Sequence, residues 1–135
     1  MGDKRGLDYQ QPRRNGATGG VQVSSDEGLP DGLTVDEPGY VWSAQWYGGQ
    51  VVRYDPEENI AGRLELPVKH VSSVAFGGDE LTDLYVTTAG KLWRSPLAPP
   101  GFDGSGEMSG SLYRVRLNVR GRLEHPADFL GQPAG

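Results

Sequence analysis

The sequence contains no cysteine, so neither a disulfide framework nor thiolate chemistry is available to it. Its longest apolar runs are a few residues, far short of the roughly 20 that a membrane-spanning helix needs. Thirteen basic residues stand against 18 acidic ones, and the net charge of -5 argues against a general phosphate-binding surface. Residues 1–14 also lack the apolar stretch of a secretory signal. These absences predict a cytoplasmic protein that binds neither nucleic acid nor a membrane.

Glycine and proline, by contrast, are abundant, with 21 and 10 copies among the 135 residues. Glycine and proline at this frequency are typical of short strands joined by tight turns, and they leave little room for helices. Between the breaks, runs rich in β-branched and aromatic residues predict strands at Val21–Val23, Leu33–Asp36, Tyr40–Trp46, Gln50–Tyr54, Arg63–Leu66, Val71–Phe76, Leu84–Thr88, Leu112–Leu117 and, more weakly, Gly121–Leu123. The sequence therefore predicts an all-β fold.

The distribution of apolar residues divides the chain into three parts. Residues 1–20 hold almost no large apolar side chain, so we expect a disordered polar tail there. Residues 21–125 carry the strands, interrupted by a Gly-, Pro- and Ser-rich loop at 89–110. Residues 126–135 form a short C-terminal tail. The chain is thus expected to fold as one β domain between two tails.

The strand pattern occurs twice. Leu33–Asp36 leads across a Pro-Gly turn into Tyr40–Ala44, and Val74–Phe76 leads across a Gly-Gly turn into Leu84–Thr88. Aligning the first residues of the two copies gives a spacing of 41 residues. Short strands that recur at this period are typical of β-propeller blades, each of which is a small antiparallel sheet.

Tryptophans alternate with polar residues in the strand Tyr40–Trp46, and both faces of this strand carry apolar side chains. Such a strand is expected in a sheet that lies between two other sheets. Trp42 and Trp46 are therefore predicted to pack in the core. The alternative is that they line a ligand site, together with Trp93.

The turn Pro30-Asp31-Gly32 places one carboxylate at the start of a strand. Pro30 presets the backbone, and Gly32 allows a close turn after it. Asp31 supplies oxygen ligands that suit calcium or magnesium. An Asx turn, in which Asp31 caps its own backbone, explains the same pattern.

An ordered series of motifs over residues 28–120 resembles the second half of the SMP-30/gluconolactonase/regucalcin family. The series runs Leu29–Asp36, Val41-Trp42, Gly48–Pro56, Glu65–Val68, Ser72–Gly78, Leu84–Ala89 and Gly110–Val115. The resemblance implies part of a six-bladed β-propeller, with about two to three blades of four-stranded antiparallel sheet. It also implies a divalent-metal-dependent hydrolase of sugar lactones.

The same resemblance assigns Asp31 to the family's second-half metal ligand, which is also proposed as the general base. The implied cation is Ca²⁺ first, with Zn²⁺, Mn²⁺ or Mg²⁺ as alternatives. The family's other ligands, a Glu and an Asn, belong to blades that this sequence does not resemble. We therefore expect a fragment with little activity alone, which self-associates or pairs with a chain that supplies the first blades. A non-enzymatic calcium-binding or protein-interaction module is the alternative function.

The remaining polar residues give weaker signals. His70 and His125 are both isolated, without zinc-ligand spacing to another ligand residue. His70 precedes a strand whose start could face the propeller axis, so a polar role near the site is an alternative for it. Ser72 and Ser73 are predicted to be ordinary strand residues, because no Gly-x-Ser-x-Gly elbow is present. Four further carboxylates are predicted to be solvated turn residues: Asp26, Glu27, Asp36 and Glu37.

Overall fold

The structure is a computed structural model that describes residues 23–24, 26–90, 98, 101 and 110–126. Seven strands and no helix occur in these ranges. Their bounds are β1 Leu29–Val35, β2 Val41–Trp46, β3 Gln50–Tyr54, β4 Ile60–Glu65, β5 Val71–Gly77, β6 Asp83–Thr88 and β7 Leu112–Arg116. The all-β prediction is therefore confirmed for the part of the chain that is described.

The seven strands form two antiparallel sheets in which each strand pairs with its neighbour in the sequence. The first sheet has the order β1-β2-β3-β4, and the second has the order β5-β6-β7. Meanders of this kind need only tight turns between strands, which explains the glycines that separate them. At Gly39 and Gly49, for example, the backbone adopts positive φ angles of 99° and 64°.

The hydrophobic core lies between the two sheets. It contains Trp42, Ala44, Val51, Val68, Val71, Val74, Leu84 and Val86, all of them buried. The inner strands β1 and β2 of the first sheet pack against β5, the first strand of the second sheet. Trp42 meets Phe76 edge-to-face at 5.8 Å between ring centroids, so the core placement predicted for Trp42 is confirmed.

The segment before β1 crosses the opposite face of the first sheet. Glu27 forms an ion pair with Arg63, and the Glu27 carbonyl oxygen accepts a hydrogen bond from Gln50 Nε2 at 3.3 Å. Under this segment Tyr54 is buried, and burial together with the Glu27 charge raises the pKa of its phenol. The prediction that Glu27 is a solvated turn residue is therefore wrong, because its side chain ties the segment to the sheet.

The sequence repeat corresponds to the two sheets. β5 begins at residue 71 and β1 at residue 29, and β6 and β2 are displaced by the same 42 residues, so the strand bounds give a period one residue longer than the motif alignment. The register repeats as well: Thr34 pairs with Trp42 in the first sheet, and Phe76 pairs with Leu84 in the second. Two copies of one antiparallel unit stacked face to face are the arrangement of successive propeller blades.

Most predicted strands coincide with observed ones, with three differences. β1 and β4 begin earlier than predicted, at Leu29 and Ile60. The weak strand at Gly121–Leu123 is reduced to an isolated bridge between Gly121 and Asp36. Val23 is not in a strand, and the rest of that predicted edge strand lies outside the described residues, as do the tail 1–20, Trp93 and nearly all of the tail 126–135. Among the described residues, no helix has the length and apolarity to span a bilayer.

Candidate functional site

Asp31 lies in the third position of β1, at a β-bulge. Pro30 pairs with Gln45 and Leu33 pairs with Ser43, so Asp31 and Gly32 together oppose one residue of β2, Ala44. A bulge of this kind bends the strand and changes the direction of the side chain at the extra residue. The carboxylate is thus presented by a strand distortion and not by a turn that precedes the strand.

Gly32 lies at a close approach between β1 and β5, the first strands of the two sheets. A Cβ atom at residue 32 would lie 2.2 Å from Ser73 Oγ and 2.7 Å from Ser73 Cα. These separations are shorter than any van der Waals contact, so only glycine fits while β1 and β5 keep this distance. The predicted turn role of Gly32 is wrong, because this residue allows the two sheets to approach beside Asp31.

The Asp31 side chain is exposed, and within the described ranges it makes no hydrogen bond or ion pair. The Asx turn that competed with the ligand interpretation is therefore not formed there. Asp36 and Asp55 make such bonds instead, accepting from the backbone N–H of Tyr40 and of Asn59 at 2.8 Å. No described residue therefore occupies the Asp31 carboxylate, which is exposed toward a ligand.

A shallow depression of about 260 Å³ adjoins the carboxylate and is lined by Leu29, Pro30, Asp31 and Trp46. Trp46 pairs with Leu29 across β1 and β2, so its indole is a diagonal neighbour of Asp31. The indole is half-buried and does not belong to the hydrophobic core. The core placement predicted for Trp46 is wrong, whereas the alternative, a residue lining a candidate site, agrees with the structure.

His70 and Tyr47 pack against Trp46 behind the depression. The His70 ring lies 4.7 Å from the Trp46 ring and 5.4 Å from the Tyr47 ring, measured between centroids. An isolated β-bridge also joins Trp46 to His70. Because His70 is buried among these groups, the charged imidazolium is disfavoured and the pKa of His70 lies below its ordinary value of 6.5. His70 thus lies near the candidate site, as its position before β5 indicated.

At the other end of the first sheet, Asp36 is fully buried and forms the centre of a polar cluster. Its carboxylate accepts hydrogen bonds from the Tyr40 backbone N–H at 2.8 Å, from Trp42 Nε1 at 3.0 Å and from Arg53 Nη2 at 2.6 Å. The Arg53 guanidinium also lies 3.9 Å from the centroid of the Tyr40 ring. The prediction of a solvated carboxylate at Asp36 is wrong, whereas Asp26 and Glu37 are exposed as expected.

The second sheet has a corresponding ion pair at the same end. Asp83, at the start of β6, accepts hydrogen bonds from Arg116 at the end of β7. These bonds, with the Arg116 charge, lower the pKa of the Asp83 carboxyl below its ordinary value. Each ion pair links strands within its own sheet, and neither lines the Asp31 depression.

The donor set at Asp31 fits a divalent cation only in part. A free, exposed carboxylate is a suitable hard-oxygen ligand, but calcium normally takes six to eight oxygens. Among the described residues, no group of three or more His, Cys, Asp or Glu side chains could hold a metal ion. A complete cation site at Asp31 therefore needs ligands from outside the described part of the chain.

Comparisons with known proteins show which family the chain belongs to. The family model for the SMP-30/gluconolactonase/LRE-like region matches residues 6–90. Pentonolactonase XacC of Haloferax volcanii is 44% identical over 108 residues, which are 80% of this chain and 37% of that protein. The match to the family begins at residue 6, inside the segment for which the sequence predicts a disordered tail.

Two solved structures share the fold. A luciferin-regenerating enzyme superposes with a TM-score of 0.61 at 37% identity, over 73% of this chain and 31% of that enzyme. Regucalcin from Agrobacterium tumefaciens, a calcium-binding protein, gives a TM-score of 0.57 at 33% identity, over 70% and 30%. The two stacked sheets are thus part of a β-propeller. The chain belongs to the SMP-30/gluconolactonase/LRE-like family and matches about a third of the length of these relatives.

Proposed function

We propose that this chain carries one part of the catalytic site of a divalent-metal-dependent sugar-lactone hydrolase. The observation that carries the proposal is the Asp31 carboxylate, which is exposed, free of partners among the described residues and held on a bulged inner strand. The relationship to a pentonolactonase and the resemblance to calcium-binding regucalcin support the same reading. Asp31 would hold the cation, with calcium preferred because it favours carboxylate oxygens.

Lactone hydrolysis needs a water molecule activated beside a polarised carbonyl. The Asp31 carboxylate would accept the proton of the attacking water as the water oxygen bonds to the carbonyl carbon. The ring carbon–oxygen bond then breaks, and the leaving oxygen takes up a proton to give the hydroxy acid. A cation bound at Asp31 would polarise the lactone carbonyl.

One carboxylate cannot complete this site. We infer that the remaining ligands come from further propeller blades, because the chain matches only about a third of the length of its relatives. A partner chain or a second copy of this chain would be able to supply such blades. Acting alone in the cytoplasm, the chain would bind cations weakly and hydrolyse lactones slowly. The sheet faces that blades would cover expose large apolar side chains, among them Leu33 at 61% and Leu112 at 64%.

The test is Asp31→Asn, measured for calcium binding by calorimetry and for hydrolysis of glucono-1,5-lactone by proton release. The variant removes the charge with almost no change in shape, so we expect calcium affinity to fall at least tenfold and any calcium-dependent hydrolysis to disappear. Asp79→Asn is the matched control, since Asp79 is an exposed turn carboxylate. If Asp31→Asn binds calcium as tightly as the control does, Asp31 is not a ligand.

A further inference from the structure

Trp46 is the one large aromatic residue that lines the Asp31 depression in the described part of the chain. It stands at the end of β2, opposite Leu29, and Leu29 and Pro30 form the remaining apolar lining. The depression therefore has an apolar wall beside a single carboxylate. Its volume of about 260 Å³ lies just below the roughly 300–1,000 Å³ of sites for drug-sized ligands, so it suits a ligand of about one sugar ring.

Packing against two neighbouring rings fixes the orientation of the Trp46 indole. Trp46 contacts His70 at 4.7 Å and Tyr47 at 5.8 Å between ring centroids, and the His70 and Tyr47 rings contact each other. The backbone bridge between Trp46 and His70 connects the end of β2 to the residue that precedes β5, the first strand of the second sheet. The indole is thus held by two rings and by the junction between the sheets.

The chain that follows Trp46 is also constrained. Tyr47 has a φ angle of 66°, a left-handed conformation that is unfavourable for a bulky residue. A Cβ atom at Gly28 would lie 2.7 Å from Gly48 N, so the segment before β1 packs directly on the turn after Trp46. Backbone strain of this kind persists only where the surrounding contacts over-determine it, and it is concentrated at functional sites.

We propose that Trp46 is a specificity-determining residue, whose indole lies against the C–H face of a sugar ring bound at Asp31, with His70 and Tyr47 as its positioning residues. This inference rests on the proposed function for the class of ligand. One face of a cyclic sugar presents mainly C–H groups, and an indole removes that apolar surface from water. The polar edge of the same ring then faces Asp31.

The test uses a cyclic sugar that cannot be hydrolysed, 1,5-anhydro-D-glucitol, titrated with and without calcium. Binding to the full chain is followed by the chemical shift of the Trp46 indole N–H, and the affinity is measured by calorimetry. We expect Trp46→Ala to weaken binding about tenfold, as truncation of an aromatic contact residue typically does, and Trp46→Phe to stay within about threefold of wild type. Leu123→Ala is the control, because it removes an apolar side chain that is 79% exposed.

The results separate the two proposals. Equal affinity of Trp46→Ala and wild type, in proteins with the same melting temperature, overturns the role of Trp46, and so does the absence of sugar binding by the wild-type chain. Sugar binding that depends on Trp46, in a chain whose weak calcium affinity is unchanged by Asp31→Asn, confirms the role of Trp46 and refutes the role of Asp31 in a metal-dependent hydrolase.

Discussion

Replacing Asp36 by alanine tests whether the buried polar cluster of the first sheet stabilises the fold. The carboxylate is fully buried and accepts hydrogen bonds from Tyr40, Trp42 and Arg53. Alanine would leave the Trp42 indole N–H without this acceptor in the core and the Arg53 charge without its counter-ion. Removing one partner of such a pair costs more than the pair contributes, because the remaining groups stay desolvated.

The magnitude follows from how far each remaining group is buried. Breaking a buried ion pair costs about 3–5 kcal/mol, and the lower end applies here because the Arg53 side chain is 23% exposed and can regain some water. A loss of about 3 kcal/mol is a large share of the ~5–15 kcal/mol that stabilises a typical domain. It would lower the melting temperature by about 10 °C or more.

Urea unfolding followed by tryptophan fluorescence measures the effect, since Trp42 itself donates to Asp36. Asp36→Asn should lose less stability than Asp36→Ala, because the amide oxygen can still accept from Tyr40 N and Trp42 Nε1. Asp36→Ala combined with Arg53→Met should recover part of the loss by removing the unpaired charge. The reasoning is refuted if Asp36→Ala is destabilised by less than about 1 kcal/mol, or if the double variant is no more stable than the single one.

Two further predictions concern the junction between the sheets. Gly32→Ala would place a Cβ atom 2.6 Å from Ser73 Cβ and should cost about 1–3 kcal/mol in urea unfolding, with partial rescue by Ser73→Gly; an unchanged midpoint would contradict the close approach. The pKa of His70 is lowered in the folded state, so the unfolded state binds more protons. The unfolding free energy should therefore be highest above pH 6.5 and should fall as the pH drops below that value. His70→Phe should remove that part of the slope, and parallel pH profiles of the variant and wild type would refute it.

The sequence predicted the strands because their signals are local. Gly-rich turns separate runs of β-branched and aromatic residues, so the seven strands could be placed within a few residues of their observed bounds. The recurrence of the pattern indicated two similar sheets, and the order of motifs indicated the family. Asp31 was singled out as a candidate ligand because its motif is contiguous, although its place on a bulge was not evident.

What the sequence did not reveal depends on contacts between distant segments. Asp36 and Arg53 are 17 residues apart, and each lies beside other charged or turn residues that give no sign of pairing. Trp42 and Trp46 lie in one strand with the same alternation, yet one is buried in the core and the other lines the Asp31 depression.

The local chemistry of this sequence therefore determined which residues form strands and turns, because backbone preferences and side-chain alternation act over a few residues. Only the stacking of the second sheet on the first decided which carboxylate is buried and which is exposed, and which tryptophan packs in the core. The reason is that burial depends on what covers a side chain, and here the cover comes from residues far away in the sequence.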